Sequence, residues 1–151
     1  MTITTGTAKK KVEVIYLTSM KSGMAEFYTP QASDETMLVQ VAAGAIDDLF
    51  CHHFQTDQLL VVRGSFVLVV LSDRQYQYIP LGESRPAVVT IPPNVPHAAI
   101  NLSDRPCVLI NAVLRHGAAI AKDYQPRRHP FPYDLEAARQ AIATLELPIA
   151  A

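Results

Sequence analysis

Short apolar and β-branched runs cut by turn residues pattern most of the chain, the signature of strands rather than helices. Strands are predicted over residues 12–17, 25–28, 36–41, 49–55, 58–63, 66–72, 75–78, 87–91, 97–102 and 107–114. Gly64 and Ser65 separate two of these runs and predict a two-residue hairpin turn, glycine supplying the positive φ. Gln75 and Gln77 alternate with Tyr76 and Tyr78, as expected of a half-buried strand. So many short strands spaced by turns point to an all-β sandwich or barrel.

The pattern changes near the end. Asp134 precedes Leu135, Glu136, Ala137 and Ala138, an N-cap followed by good helix formers. Leu135, Ala138, Ile142 and Leu145 share one face, so an amphipathic helix can lie against the barrel until Pro148 stops it. Pro126, Pro130 and Pro132 make residues 123–133 an extended connector. The expected organisation is one domain: a barrel with N-terminal strands over 1–133, and a helix over 134–147 packed on it.

Period two also sorts the polar chemistry. Within 49–55, Cys51, His53 and Gln55 share one face of the predicted strand, while His52 and Phe54 take the other. His97, Ala99 and Asn101 share a face of theirs. Asn111 interrupts an apolar strand, so its amide either caps a backbone irregularity or faces a pocket. Arg63, just before Gly64, could reach an anionic ligand.

Composition narrows the classes. A chain of 151 residues suits one domain with a real core, and 49% hydrophobic against 18% charged residues excludes disorder. A net charge of −1 supplies no basic field for nucleic acid, although one or two local arginines could serve a nucleotide-sugar. No apolar run reaches membrane-spanning length and no targeting segment is visible, so no membrane partner is expected. Cys51 and Cys107 are too few for a disulfide framework, and a reduced, cytoplasmic protein is expected.

Two segments carry most of the chemistry, residues 51–64 and 91–101. Pro92, Asn94, His97 and Asn101 keep the spacing of the second cupin motif, Pro-x-Gly, two residues, His, three residues, Asn. Asn94 stands in the Gly position, being the residue best able to replace Gly at positive φ. Cys51 and His53 occupy the His-x-His positions of the first cupin motif, Asp57 its Glu position and Gly64 its closing Gly. The chain thus resembles the cupin superfamily, which implies a double-stranded β-helix, the jelly-roll cupin barrel. Within it, His53-Phe54-Gln55, Val61 through Gly64, Ile91-Pro92, His97 through Asp104, and Asp123-Tyr124-Gln125-Pro126 resemble the dTDP-4-dehydrorhamnose 3,5-epimerase (RmlC-like) family.

That resemblance implies a sugar or nucleotide-sugar ligand, a homodimer, and His53 as the base that removes a proton next to a keto group. His97 would orient the base or polarise the carbonyl. Gln55, Arg63, Asn101 and Asn111 are the candidate substrate contacts. Phe50 stands where the family has a phosphate-holding Arg, Asp57 where it has a Lys, and Ile110 where it has a Tyr. No residue clearly matches the late Asp that partners the base, so the 3,5-epimerase reaction itself is not expected.

A second reading keeps the same residues as metal ligands. His53, His97 and Asp57 would offer two imidazoles and a carboxylate, suited to Fe, Mn, Ni or Zn with positions open for substrate. Cys51 could add a thiolate, and a one-residue shift would put His52 in its place. Otherwise the pocket is metal-free and its imidazoles serve proton transfer. Three functions follow: an isomerase- or epimerase-like protein acting on a carbonyl compound, a metal-dependent cupin oxygenase or isomerase, or a non-catalytic small-ligand module.

Overall fold

The computed structural model describes residues 11–23 and 25–147. The Thr-rich stretch before Lys11 and the helix stop expected at Pro148 lie outside them. Among the described residues the chain forms β1 (Glu13–Tyr16), β2 (Ser19–Ser22), β3 (Ala25–Tyr28), β4 (Glu35–Val41), β5 (Gln55–Arg63), β6 (Ser65–Ser72), β7 (Gln75–Gly82), β8 (Ala87–Ile91), β9 (His97–Ile100), β10 (Cys107–Arg115) and α1 (Leu135–Ala143). A 3₁₀ turn, Ala121–Tyr124, precedes the helix.

All strand pairs are antiparallel. One sheet runs β1-β8-β5-β10-β4, a second runs β7-β6-β9, and among the described residues β2 and β3 pair only with each other. Inward residues of the two larger sheets meet in a common core: Leu59, Val61, Val89 and Leu109 from one, Phe66, Leu68, Val70 and Leu81 from the other. The architecture is the expected all-β jelly roll with a C-terminal helix.

The smaller sheet is covered on both faces. Phe66, Leu68 and Val70 face the main core, while Val67 and Val69 pack outward with Ala98, Ile100 and Ala138 of α1. Burial on both sides explains why β6 is uninterruptedly apolar where half-buried β7 alternates at its start. The helix begins as its sequence predicts, Asp134 Oδ1 accepting from Ala137 N–H at 3.0 Å.

Two local expectations are overturned. Gly64 does not make a hairpin, because β5 and β6 belong to different sheets. At φ +80° it turns the chain from one sheet to the other, where a Cβ would come within 3.1 Å of the Pro106 carbonyl oxygen. The tight hairpin is β6–β7, through Asp73 and Arg74, both at positive φ (52° and 60°), which matches a primed turn. Residues 49–54 are the second correction. They contribute isolated bridges at Leu49 and Phe50 and then leave β geometry until β5 starts at Gln55.

Asn101 spends its amide on the fold. It is 1% exposed. Its Nδ2 donates to the Val41 and Arg105 carbonyls at 3.2 and 2.8 Å, and its Oδ1 accepts from Ser103 N–H and Oγ–H at 3.0 and 2.7 Å. Past the end of β9 the chain turns, so the alternation that would have pointed it inward no longer applies. Truncating a buried amide leaves its partners unsatisfied at about 1–3 kcal/mol per group. Asn101→Ala is therefore expected to lower stability by about 2 kcal/mol or more in urea unfolding while leaving ligand affinity unchanged.

Candidate functional site

The irregular arm over 50–52 lies alongside residues 94–97 and sets the site. Phe50 N–H donates to the His97 carbonyl at 2.8 Å, and His97 N–H returns a bond to Phe50 O at 2.9 Å. Asn94, at φ 66° in the left-handed region, donates its N–H to the His52 carbonyl at 2.7 Å. These bonds tie the backbones of His52 and His97 together. Because the arm is not a strand, alternation fails there, and His52 lines the cavity between the sheets while His53 does not.

Inside the cavity, His52 Nε2 and His97 Nε2 converge on one oxygen, Asp57 Oδ2, at 3.4 and 3.3 Å. The other carboxylate oxygen accepts from Gln55 Nε2 at 2.6 Å and from Asn111 Nδ2 at 3.0 Å. Asn111 Oδ1 also accepts from Gln58 N–H at 3.0 Å, so this amide both faces the pocket and serves the backbone. Asp57 is 3% exposed. Burial alone would push its carboxyl up, but the His97 and His52 rings and the Asn111 amide outweigh it and hold it down at about 2.

The two rings differ in their outer contacts. His97 Nδ1 sits 2.9 Å from the Val95 carbonyl, which can only accept, so Nδ1 carries a proton and Nε2 is the ring atom aimed at Asp57. His52 is held below its ordinary value by burial first, and also by His97, against the pull of Asp57. Its Nδ1 is buried and meets no hydrogen-bond partner among the described residues.

His53 forms a separate pair. Asp123 accepts from its Nδ1 at 2.6 Å and from its backbone N–H at 3.1 Å, one carboxylate oxygen to each. Burial would raise the Asp123 carboxyl, but the His53 bonds hold it below the ordinary value. His53 therefore stands apart from Asp57 and His97, which correct to a set of His52, Asp57 and His97. Cys51 also leaves the set: it is buried outside the cluster, and desolvation pushes its thiol up. Arg63 is exposed at the far end of β5, about 26 Å from Gln55 along an extended strand. Gln55 and Asn111 do line the cavity.

Sequence reasoning missed three residues here. Asp123 pairs with His53, and its Asp-Tyr-Gln-Pro context was its only signal. Tyr124 lines the cavity and donates from its hydroxyl to Gln55 Oε1 at 2.9 Å. Arg115 donates to Gln55 Oε1, Glu35 and the Tyr124 hydroxyl at 2.7, 2.8 and 3.0 Å. The cavity measures about 310 Å³ and continues past the polar groups to Leu59, Phe66, Leu68 and Leu109.

No protein-family model matches the chain, and no curated protein matches it in sequence. Solved structures do match. A dTDP sugar isomerase from Desulfovibrio desulfuricans G20 is 16% identical, with a TM-score of 0.57 over 75% of this chain and 85% of its own. The WlaRB TDP-quinovose 3,4-ketoisomerase from Campylobacter jejuni is 14% identical, with a TM-score of 0.62 over 78% and 94%. A dTDP-4-dehydrorhamnose 3,5-epimerase from Sulfolobus tokodaii is 14% identical, with a TM-score of 0.57 over 80% and 81%. At these identities the likeness is one of fold, and the fold is that of the RmlC-like cupins.

Proposed function

We propose that the cavity transfers a proton next to a carbonyl group of a small molecule, an isomerase- or epimerase-type reaction with His97 as base. The observation that carries this reading is the convergence of two imidazole Nε2 atoms on one buried, ionised carboxylate. In its neutral form His97 keeps its proton on Nδ1, and its Nε2 is then free to take a proton from the substrate carbon. The resulting imidazolium then presents N–H to Asp57, whose negative charge stabilises it. His52, kept neutral by burial, can carry its proton on Nε2 and donate to the substrate oxygen. Neighbours of the same fold lend support, since a QdtA structure holds TDP-4-keto-6-deoxyglucose, a keto compound.

A second reading rests on the same atoms. Donors about 2.0–2.1 Å from a tetrahedral metal stand about 3.3 Å from one another, close to the His–Asp separations here. The Val95 carbonyl also supplies the outer hydrogen bond that a ligating imidazole requires. The donor chemistry suits a divalent ion held by His52 Nε2, Asp57 Oδ2 and His97 Nε2, which all lie within 4.8 Å of one another. When bound, such an ion would polarise a carbonyl oxygen as a Lewis acid.

Solvent-deuterium exchange at the α-carbon of keto compounds, followed by NMR, tests the first reading. The protein is expected to accelerate exchange, and His97→Gln to slow it by about 10²–10⁴-fold with the fold intact. Exchange that is indifferent to His97→Gln would overturn the assignment. Equilibration of tag-free protein with Fe, Mn, Ni and Zn tests the second: one ion per chain, lost in Asp57→Asn, is expected if the cluster is a metal centre.

The depressed Asp57 carboxyl also fixes a pH dependence. Its native value of about 2 lies below the ordinary 3.8, so its charge stabilises the fold above the ordinary value, and that contribution disappears as pH falls toward 2. Asp57→Asn is expected to cost about 2 kcal/mol near neutrality, with the gap to wild type closing between about pH 4 and 2 in denaturant titrations.

A further inference from the structure

The cavity lining divides into a polar and an apolar group. Gln55 and Tyr124, bonded to Arg115, stand with His52, Asp57 and His97 in the first. Asn111 lies directly opposite Leu59 on the paired strand, where the apolar group begins. Two residues further along β10, about 6–7 Å away, comes Leu109. Phe66 and Leu68 complete this apolar floor from the opposite sheet, and all four are no more than 7% exposed. No polar side chain is among them.

A ligand at the imidazoles has this apolar floor beside it. Sugar hydroxyl groups placed there would lose their bonds to water and meet only the Asn111 amide opposite Leu59, already bonded to Asp57 and to Gln58 N–H. An alkyl or aromatic group would gain by leaving water.

Charge points the same way. The charged lining groups are the carboxyl side chains Asp47 and Asp57 and the imidazoles, with no Lys or Arg among them. Arg115 is engaged by Glu35, Gln55 and Tyr124. Arg63 is exposed at the other end of β5. A diphosphate would therefore meet the Asp57 charge with no cation set against it in the cavity. At about 310 Å³, the space is also at the lower limit of small-molecule sites.

We infer that the substrate is a small, uncharged carbonyl compound with a compact apolar body. Its oxygen faces His52, Asp57 and His97, its alkyl or aryl end rests on Leu59, Phe66, Leu68 and Leu109, and it carries no nucleoside diphosphate. The inference rests on the carbonyl reading proposed above and adds the chemical class of the rest of the molecule. In this it parts from the fold neighbours, one of which, QdtA, is seen in complex with TDP.

The probes are the methyl ketones from 2-butanone to 2-heptanone, 4-phenyl-2-butanone, dihydroxyacetone and TDP, titrated calorimetrically into the full chain. Affinity is expected to rise about fourfold per added methylene until the floor is reached, while TDP and dihydroxyacetone give no heat. Val39→Thr, a near-isosteric change beside the floor, is expected to weaken 4-phenyl-2-butanone several-fold and leave 2-butanone unchanged. Should that variant unfold, the chain-length series in the wild type decides alone. Affinity independent of chain length, or TDP binding more tightly than the ketones, overturns the inference. Deuterium exchange on the same ketones separates it from the functional reading. Binding that rises with chain length without exchange sinks the proton-transfer role and keeps the apolar substrate. Exchange confined to dihydroxyacetone does the reverse.

Discussion

A carboxylate shut between two apolar sheets must be surrounded by donors or it will not stay ionised, and Asp57 imposes that requirement on everything near it. Its strand offers Gln55 two residues away, and neighbouring β10 offers Asn111, so one oxygen is saturated by amides. The second oxygen is left to His52 and His97. Because both imidazoles approach the same atom, neither can shift without altering the other's partner. The chemistry of the cavity follows from this shared oxygen.

Placing the rings takes backbone that is neither strand nor turn. The bonds between Phe50 and His97, and from Asn94 to His52, make a short paired segment that carries both histidines on one support. Asn94 must enter the left-handed region for its N–H to reach that carbonyl. On the other side, Asp123 grips His53 through ring and backbone together, while the next residue, Tyr124, reaches Gln55. The connector thus holds the arm from outside while the 94–97 segment holds it from within.

The jelly roll leaves the lining free to vary. The cavity lining combines the polar cluster around Asp57 with the apolar side chains of Leu59, Phe66, Leu68 and Leu109. Similarity at 13–19% identity preserves the frame that makes such a cavity, while substrate choice depends on side chains that this level of identity does not preserve.

Much was determined by the sequence itself. Alternation and β-branched runs specified most of the strands, and Asp134 marked the helix start. The spacing from Pro92 to Asn101 located His97, because strand and turn geometry there is local. Only the tertiary structure decided between His52 and His53, since residues 49–54 pair with distant segments, and pairing with residues 94–97 and 127 overrides local alternation. Long-range packing likewise sent Gly64 across sheets rather than into a hairpin and carried Arg63 to the far end. It also brought Asp123 to His53, and Tyr124 and Arg115 to Gln55, because a side chain's neighbours across a barrel are set by register between segments that are remote in sequence.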